Sequence, residues 1–159
     1  MASSPIVVRD FRPADAASIM EIQLGTSEMA QWRPGDYENL SRRAGGMVLV
    51  AETTGPTVAI TGFLAALAIG AEAEIQNVAV RAGHRRRGVA RALLEEAHSR
   101  LAGQDVASVF LEVRVSNLAA RILYRRFGYS ECGLRKGYYT SDGEDALVLR
   151  LNLGRSPAG

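Results

Sequence analysis

Residues 74–115 constrain the fold of this chain more than any other stretch. A β-branched run at Glu74–Val80 leads through the basic turn Arg85-Arg86-Arg87-Gly88-Val89-Ala90 into a helical pattern at Val89–Leu101, and a second apolar run follows at Val106–Val115. Within the helical pattern Val89, Leu93, Ala97 and Leu101 recur one turn apart with Leu94 beside them, an amphipathic face stopped by Gly103. Two apolar strands joined by a helix of about a dozen residues imply a right-handed parallel crossover. The class is therefore α/β, with a mixed sheet.

The flanking segments fit around that unit. Ile6–Phe11 reads as a short strand, and Pro13 and Asp15 start a helix whose apolar residues Ile19, Ile22 and Leu24 precede Gly25. Thr26–Asp36 is polar and contains Trp32, Pro34 and Gly35, and a short helix follows near Tyr37–Arg43. Met47–Glu52 and Thr57–Ile69 are strands joined across Thr54-Gly55-Pro56. Beyond Val115, Asn117 caps a helix with two apolar rows, Leu118 with Ile122 and Ala119 with Leu123 and Phe127, ended by Gly128. Residues 129–136 and 145–153 read as two closing strands around the turn Ser141-Asp142-Gly143. One domain over 1–154 and a frayed tail over 155–159 are expected.

Composition excludes several classes. The pI near 9.0 comes with a net charge of only +2, because Lys136 is the only lysine and arginine does not titrate near neutrality. One short basic run at Arg85–Arg87 suits a compact polyanion rather than a nucleic-acid duplex. Cys132 is the only cysteine, so an intrachain disulfide and a thiolate-rich metal site are excluded; a small core position is expected for it. No metal cofactor is expected. No secretory signal or apolar span is read in the sequence, which points to a cytoplasmic protein with no membrane contact.

Three features carry chemistry. The basic turn leaves backbone N–H groups uncovered where a helix begins, a cradle for phosphate oxygens; the plain alternative is a solvated helix start. Glu112 breaks an apolar strand that a parallel crossover should cover on both faces, and it falls near the carboxyl end where open α/β sheets bind ligands. It is either a general base or an ion-pair partner of Arg114 or Arg121. Tyr124 lies outside both apolar rows of its helix, so it either reaches back toward that strand end or packs with its hydroxyl in solvent.

The turn resembles the R/Q-x-x-G-x-G/A turn of GNAT-superfamily acyltransferases, with Arg85, Gly88 and Ala90 in the motif positions. Further runs follow in order: A-E-I-Q-N-V-A-V at Ala73–Val80, R-R-R-G-V-A-R-A-L-L at Arg85–Leu94, L-E-V-R-V-S-N at Leu111–Asn117, L-Y-R-R-F-G-Y at Leu123–Tyr129, and R-K-G-Y-Y with D-G-E-D-A at Arg135–Ala146. Together they resemble the ribosomal-protein-alanine N-acetyltransferase (RimI-type) family of that superfamily.

The resemblance implies a GNAT fold, a splayed sheet of about six to seven strands with about four helices. It implies acetyl-CoA as co-substrate and a protein N-terminus, that of a ribosomal protein, as acceptor. Val78, Ala79 and Val80 would hold the pantetheine and thioester through their backbone. Arg85, Arg86, Arg87, Gly88, Val89, Ala90 and Arg91 would hold the pyrophosphate, and Asn117 would contact the cofactor. Glu112 would be general base and Tyr124 general acid, with Trp32, Tyr138 and Tyr139 lining the acceptor.

The acceptor end departs from the family: Trp32 is followed by Arg33-Pro34, where RimI-type chains place a proline-tryptophan pair. A lysine side chain or a small amine as acceptor, and an acyl-CoA-binding module without turnover, are the competing readings. An RNA-binding role for Arg85–Arg87 lacks the exposed aromatics that stack bases.

Overall fold

The computed structural model describes residues 5–26 and 29–154. Seven strands, β1 (Ile6–Asp10), β2 (Gly46–Thr53), β3 (Ala59–Ile69), β4 (Glu72–Val80), β5 (Ser108–Arg114), β6 (Ser130–Arg135) and β7 (Ala146–Asn152), form one sheet in the order β1-β2-β3-β4-β5-β7-β6. Four helices accompany it: α1 (Ala16–Leu24), α2 (Pro34–Arg42), α3 (Val89–Gly103) and α4 (Leu118–Arg126). The described residues divide into two compact units, drawn from Met1–Leu67 with Gln76–Arg100 and from Ala68–Ile75 with Leu101–Gly159. The tail expected over 155–159 lies outside the described residues, as do Ser27 and Glu28 of the polar loop.

In the first unit β1, β2 and β3 form an antiparallel meander, with a bulge where Ala51 faces Gly62 and Glu52 faces Ile60. Ile19 and Ile22 of α1 and Tyr37 and Leu40 of α2 meet Val48, Val50, Phe63 and Ala65 of the sheet in one apolar cluster. Leu24 is 76% exposed, because two residues past the buried Ile22 it lies on the opposite side of the helix. A polar set crosses this core. The Tyr37 hydroxyl donates to Gln23 Oε1 and accepts from Asn77 Nδ2 (3.1 Å), while Gln23 Nε2 donates to the Trp32 carbonyl (2.7 Å). The apolar face of α3 is the expected one: Val89, Leu93, Leu94 and Ala97 are buried. A Cβ on Gly62 would come within 2.7 Å of Val89 Cγ1 and 3.0 Å of the Ala79 carbonyl, so α3 sits on β3 at a point only glycine permits.

In the second unit β4 runs parallel to β5 from Glu72–Ser108 to Ile75–Leu111, as the crossover requires. The ladder stops there, and residues 76–80 of β4 lie beyond it. α3 ends at Gly103, as expected. Beyond it Asp105 takes the left-handed conformation (φ 63°) while the Val106 and Asp105 amides close on the Leu101 and Ala102 carbonyls. The closing strands have an order that alternation does not reveal: β7 pairs antiparallel with β5 and also with β6, so the last strand lies between its two partners.

Cys132, expected in the core, is exposed. It is the extra residue of a bulge between Glu131 and Gly133, on an edge strand with every residue exposed. The rows of α4 also differ from expectation, since Leu118 (62%) and Ile122 (51%) face solvent and Tyr124 is the buried residue. Asn117 caps the helix as expected, its Oδ1 accepting from the Ala120 amide (3.2 Å).

Candidate active site

The basic turn lies in the first unit. After β4 a 3-10 turn at Ala82–His84 leads to Arg85, Arg86, Arg87 and Gly88, all exposed, and then to α3. Both Arg86 (φ 62°) and Gly88 (φ 84°) are left-handed, a conformation that curls successive amides toward one side. The first helical bond runs from the Ala92 amide to the Gly88 carbonyl (3.0 Å), so the N–H groups of Val89, Ala90 and Arg91 have no acceptor one turn back. A Cβ on Gly88 would meet nothing within 4 Å; its glycine is required by backbone conformation, not by space. Arg91 pairs along the helix with Glu95 (2.8 Å), and Arg85 Nε donates to the Val80 carbonyl (3.3 Å). The turn is thus a cluster of aligned donors and cations that a diphosphate could fill.

Within the same unit Val78, Ala79 and Val80 occupy the end of β4, with Ala79 buried and its neighbours half-buried. Trp32 is half-buried, its ring 4.9 Å from that of Tyr37.

The second unit gathers the other candidates. Glu112, on β5, is half-buried as expected, with an 18% exposed side chain, but its ion-pair partner is neither Arg114 nor Arg121. Arg135 Nη1 donates to Glu112 Oε1 at 2.5 Å, and the Tyr138 phenol lies near the same carboxylate. The nearby Glu112 carboxylate and partial burial push the Tyr138 phenol up from its ordinary value. Glu74 lies on the same face of the neighbouring strand, diagonal to Glu112, and its carboxyl is pushed up by burial and by the Glu112 charge.

Arg114 and Arg121 are committed elsewhere. Arg114 is almost fully buried, bonds Asp142 (2.8 Å) and Glu144 (3.1 Å), and stacks 3.9 Å from the centre of the Tyr139 ring. Glu144 accepts in turn from the Ser116 amide (2.8 Å), and Asp145 from the Gly137 amide (2.8 Å), which ties the 136–145 hairpin to the end of β5. Arg121 donates to the Val115 carbonyl and Glu131.

Tyr124 does not reach solvent. It is buried with its ring 5.6 Å from that of Tyr129, so the reading of a phenol packed with its hydroxyl in water is wrong. Burial, with a smaller contribution from nearby Tyr139, pushes its phenol well above the usual value and keeps it protonated. Tyr138 and Tyr139 stack edge to face at 5.1 Å.

Sequence reasoning assigned no role to Arg135, and it read Asp142–Asp145 as part of a turn and a family motif without foreseeing the ion pairs of Asp142 and Glu144 with Arg114. The acidic density of that run opposite a strand bearing Arg114 was the available signal. The Gln23–Tyr37–Asn77 set left no signal, because its members are 14 and 40 residues apart.

A family model described as the acetyltransferase (GNAT) family matches residues 16–129, from α1 to just past α4. The chain belongs to the GNAT acetyltransferase family. As a GNAT N-acetyltransferase it has full-length relatives. A Bacillus subtilis chain, named as a candidate ribosomal protein bS18-alanine N-acetyltransferase, is 31% identical over 146 residues, covering 92% of this chain and 95% of that one. The ribosomal protein bS18-alanine N-acetyltransferase of Escherichia coli K12 is 45% identical over 82 residues, a match spanning 50% of this chain and about half (55%) of that relative. The crystal structure of an Escherichia coli ribosomal-protein-S18-alanine N-acetyltransferase superposes with a TM-score of 0.84 at 27% identity, covering 98% of each chain. Among the described residues no helix is long and apolar enough to cross a membrane.

Proposed function

We propose that this GNAT enzyme, one catalytic domain over 1–154, transfers the acetyl group of acetyl-CoA to the N-terminal α-amino group of an alanine-starting ribosomal protein in the cytoplasm. The family match running through both units and the names of its relatives support the reaction and the acceptor. The observation that carries the chemistry is Glu112, a half-buried carboxylate and the acidic residue of β5, with the Arg135 guanidinium bonded to it.

The acceptor amine arrives protonated, near pKa 8 for an α-amino group, and only its neutral form attacks a thioester. Glu112, directly or through a water, takes the proton, and the amine nitrogen forms its bond to the thioester carbon. Backbone amides near Val78, with Ala79 and Val80, hold the thioester and stabilise the tetrahedral oxyanion. As the C–S bond breaks, Tyr124 delivers its proton to the departing CoA sulfur, a role supported by the burial that keeps it protonated. The Arg85–Arg91 turn holds the pyrophosphate and Asn117 contacts the cofactor, while Trp32, Tyr138 and Tyr139 line the acceptor.

The test is to incubate the protein with acetyl-CoA and an alanine-starting peptide, reading free CoA thiol and the acetyl mass gain. A peptide with its α-amine blocked must give no product, and one with acetylated internal lysines must still react. The opposite pattern identifies a lysine acetyltransferase, and cofactor binding without turnover of any amine identifies a binding module.

A further inference from the structure

We propose that Arg135 is a built-in stand-in for the acceptor's ammonium group: its guanidinium occupies Glu112 when the site is empty and the incoming amine displaces it. The inference rests on the reading of Glu112 as the group that receives the amine, and it adds a residue that sets acceptor affinity.

The geometry is specific. Residues 135, 146 and 114 are in register across β6, β7 and β5, and Glu112 lies two residues from Arg114 on the same face. Arg135 therefore reaches diagonally over β7 at Ala146, whose small side chain leaves room for a long one. Its guanidinium carbon lies 4.6 Å from the centre of the Tyr138 ring, a stacking contact that supports the bent-over side chain.

Exposure differs sharply between the partners, 55% for the Arg135 side chain and 18% for Glu112, so the arginine covers the carboxylate from the solvent side. On that side Arg135 bonds the carboxylate and the Tyr138 phenol lies near it. Glu74 adds a second acidic group on the same face, which favours keeping a cation there.

A primary ammonium and a guanidinium carry the same charge and donate the same kind of hydrogen bond to a carboxylate. Solvent-facing ion pairs contribute little net stability, so exchanging one cation for another is nearly balanced. The exchange keeps charge in order: Arg135 moves to solvent still protonated, the acceptor ammonium pairs with Glu112, and its proton then passes to the carboxylate before attack. Arg135 thus excludes weak cations and makes every acceptor compete for the base.

The experiment is binding of an unreacted alanine-starting peptide to the enzyme saturated with CoA, measured by calorimetry, for the wild type, Arg135→Gln and Arg135→Lys. Without the internal cation the glutamine variant should bind the peptide about three- to fivefold more tightly, the range an exposed pair allows. Arg135→Lys should restore the wild-type affinity, and the same peptide with an acetylated α-amine should show no difference among the three proteins. Equal or weaker binding by Arg135→Gln, or failure of every form to bind, overturns the proposal, as does equal tightening for the blocked peptide. Turnover of the peptide by the wild type, assayed separately, reports on the acetyltransfer reading itself, so the two can fail independently.

Discussion

Replacing Tyr37 by Phe removes one oxygen atom from the middle of the first unit's core. That oxygen donates to Gln23 Oε1 and accepts from Asn77 Nδ2, and all three residues are buried. The variant keeps the ring and its contacts with Trp32 and Phe63 but strands an acceptor and a donor, each costing about 1–3 kcal/mol. The phenol's own desolvation is no longer required, which offsets part of that cost, leaving about 2–4 kcal/mol. For a chain of this size that corresponds to a Tm lower by about 4–16 °C, measured by scanning calorimetry on wild type and variant together. The hydroxyl also carries a pH signature. Burial pushes it up to about 12, so its contribution is complete below the ordinary value of 10 and is lost as pH rises through 12. The wild type should therefore lose more stability than Tyr37→Phe across that interval. A variant that melts within about 1 °C of the wild type, and shares its alkaline limb, would refute the claim that these bonds hold the core.

Three other outcomes follow from the site and its supports. Glu112→Gln should lower kcat by about 10²- to 10⁴-fold with acetyl-CoA affinity little changed, whereas near wild-type turnover with a lower Tm would make Glu112 structural. Gly88→Val places a β-branched residue at φ 84° and should weaken acetyl-CoA binding at least about tenfold by calorimetry while circular dichroism shows the fold retained. His98 is pushed down to about 4 by burial, so the unfolded chain binds the proton more readily, and stability is present above pH 6.5 and lost as pH falls toward 4. Acid unfolding of His98→Gln should show a shallower limb over that range; an identical limb would assign the loss to other groups.

The parallel crossover and the buried face of α3 were legible because a 3.6-residue period between two apolar runs has few other solutions. Glu112 was legible because a carboxylate in an apolar strand is locally anomalous. Its partner was not, because Arg135 lies two strands away and comes near only when β7 is inserted between β5 and β6. Strand order is a long-range choice that alternation does not encode. On α4 the two apolar rows were equally good local faces, and the fold buries Tyr124, half-buries Leu123 and Phe127 and leaves Leu118 and Ile122 outside. Cys132 was misplaced for a related reason, since an edge strand with a bulge has no inner face to fill.

The insertion of β7 also sets the order in which this part of the molecule can be completed during synthesis. β6 is made before β7, yet its recorded ladder is with β7 alone, so residues 130–135 have no sheet to join when they emerge. Until residues 146–152 have followed and seated against β5, Arg135 has no fixed path to Glu112 and Arg114 lacks Asp142 and Glu144. A nascent chain interrupted in the 136–145 hairpin therefore lacks the pairing of β5 with β7 and the partners that Arg114 finds in Asp142 and Glu144. The face that carries Glu112 is completed late, when β7 closes the sheet from within.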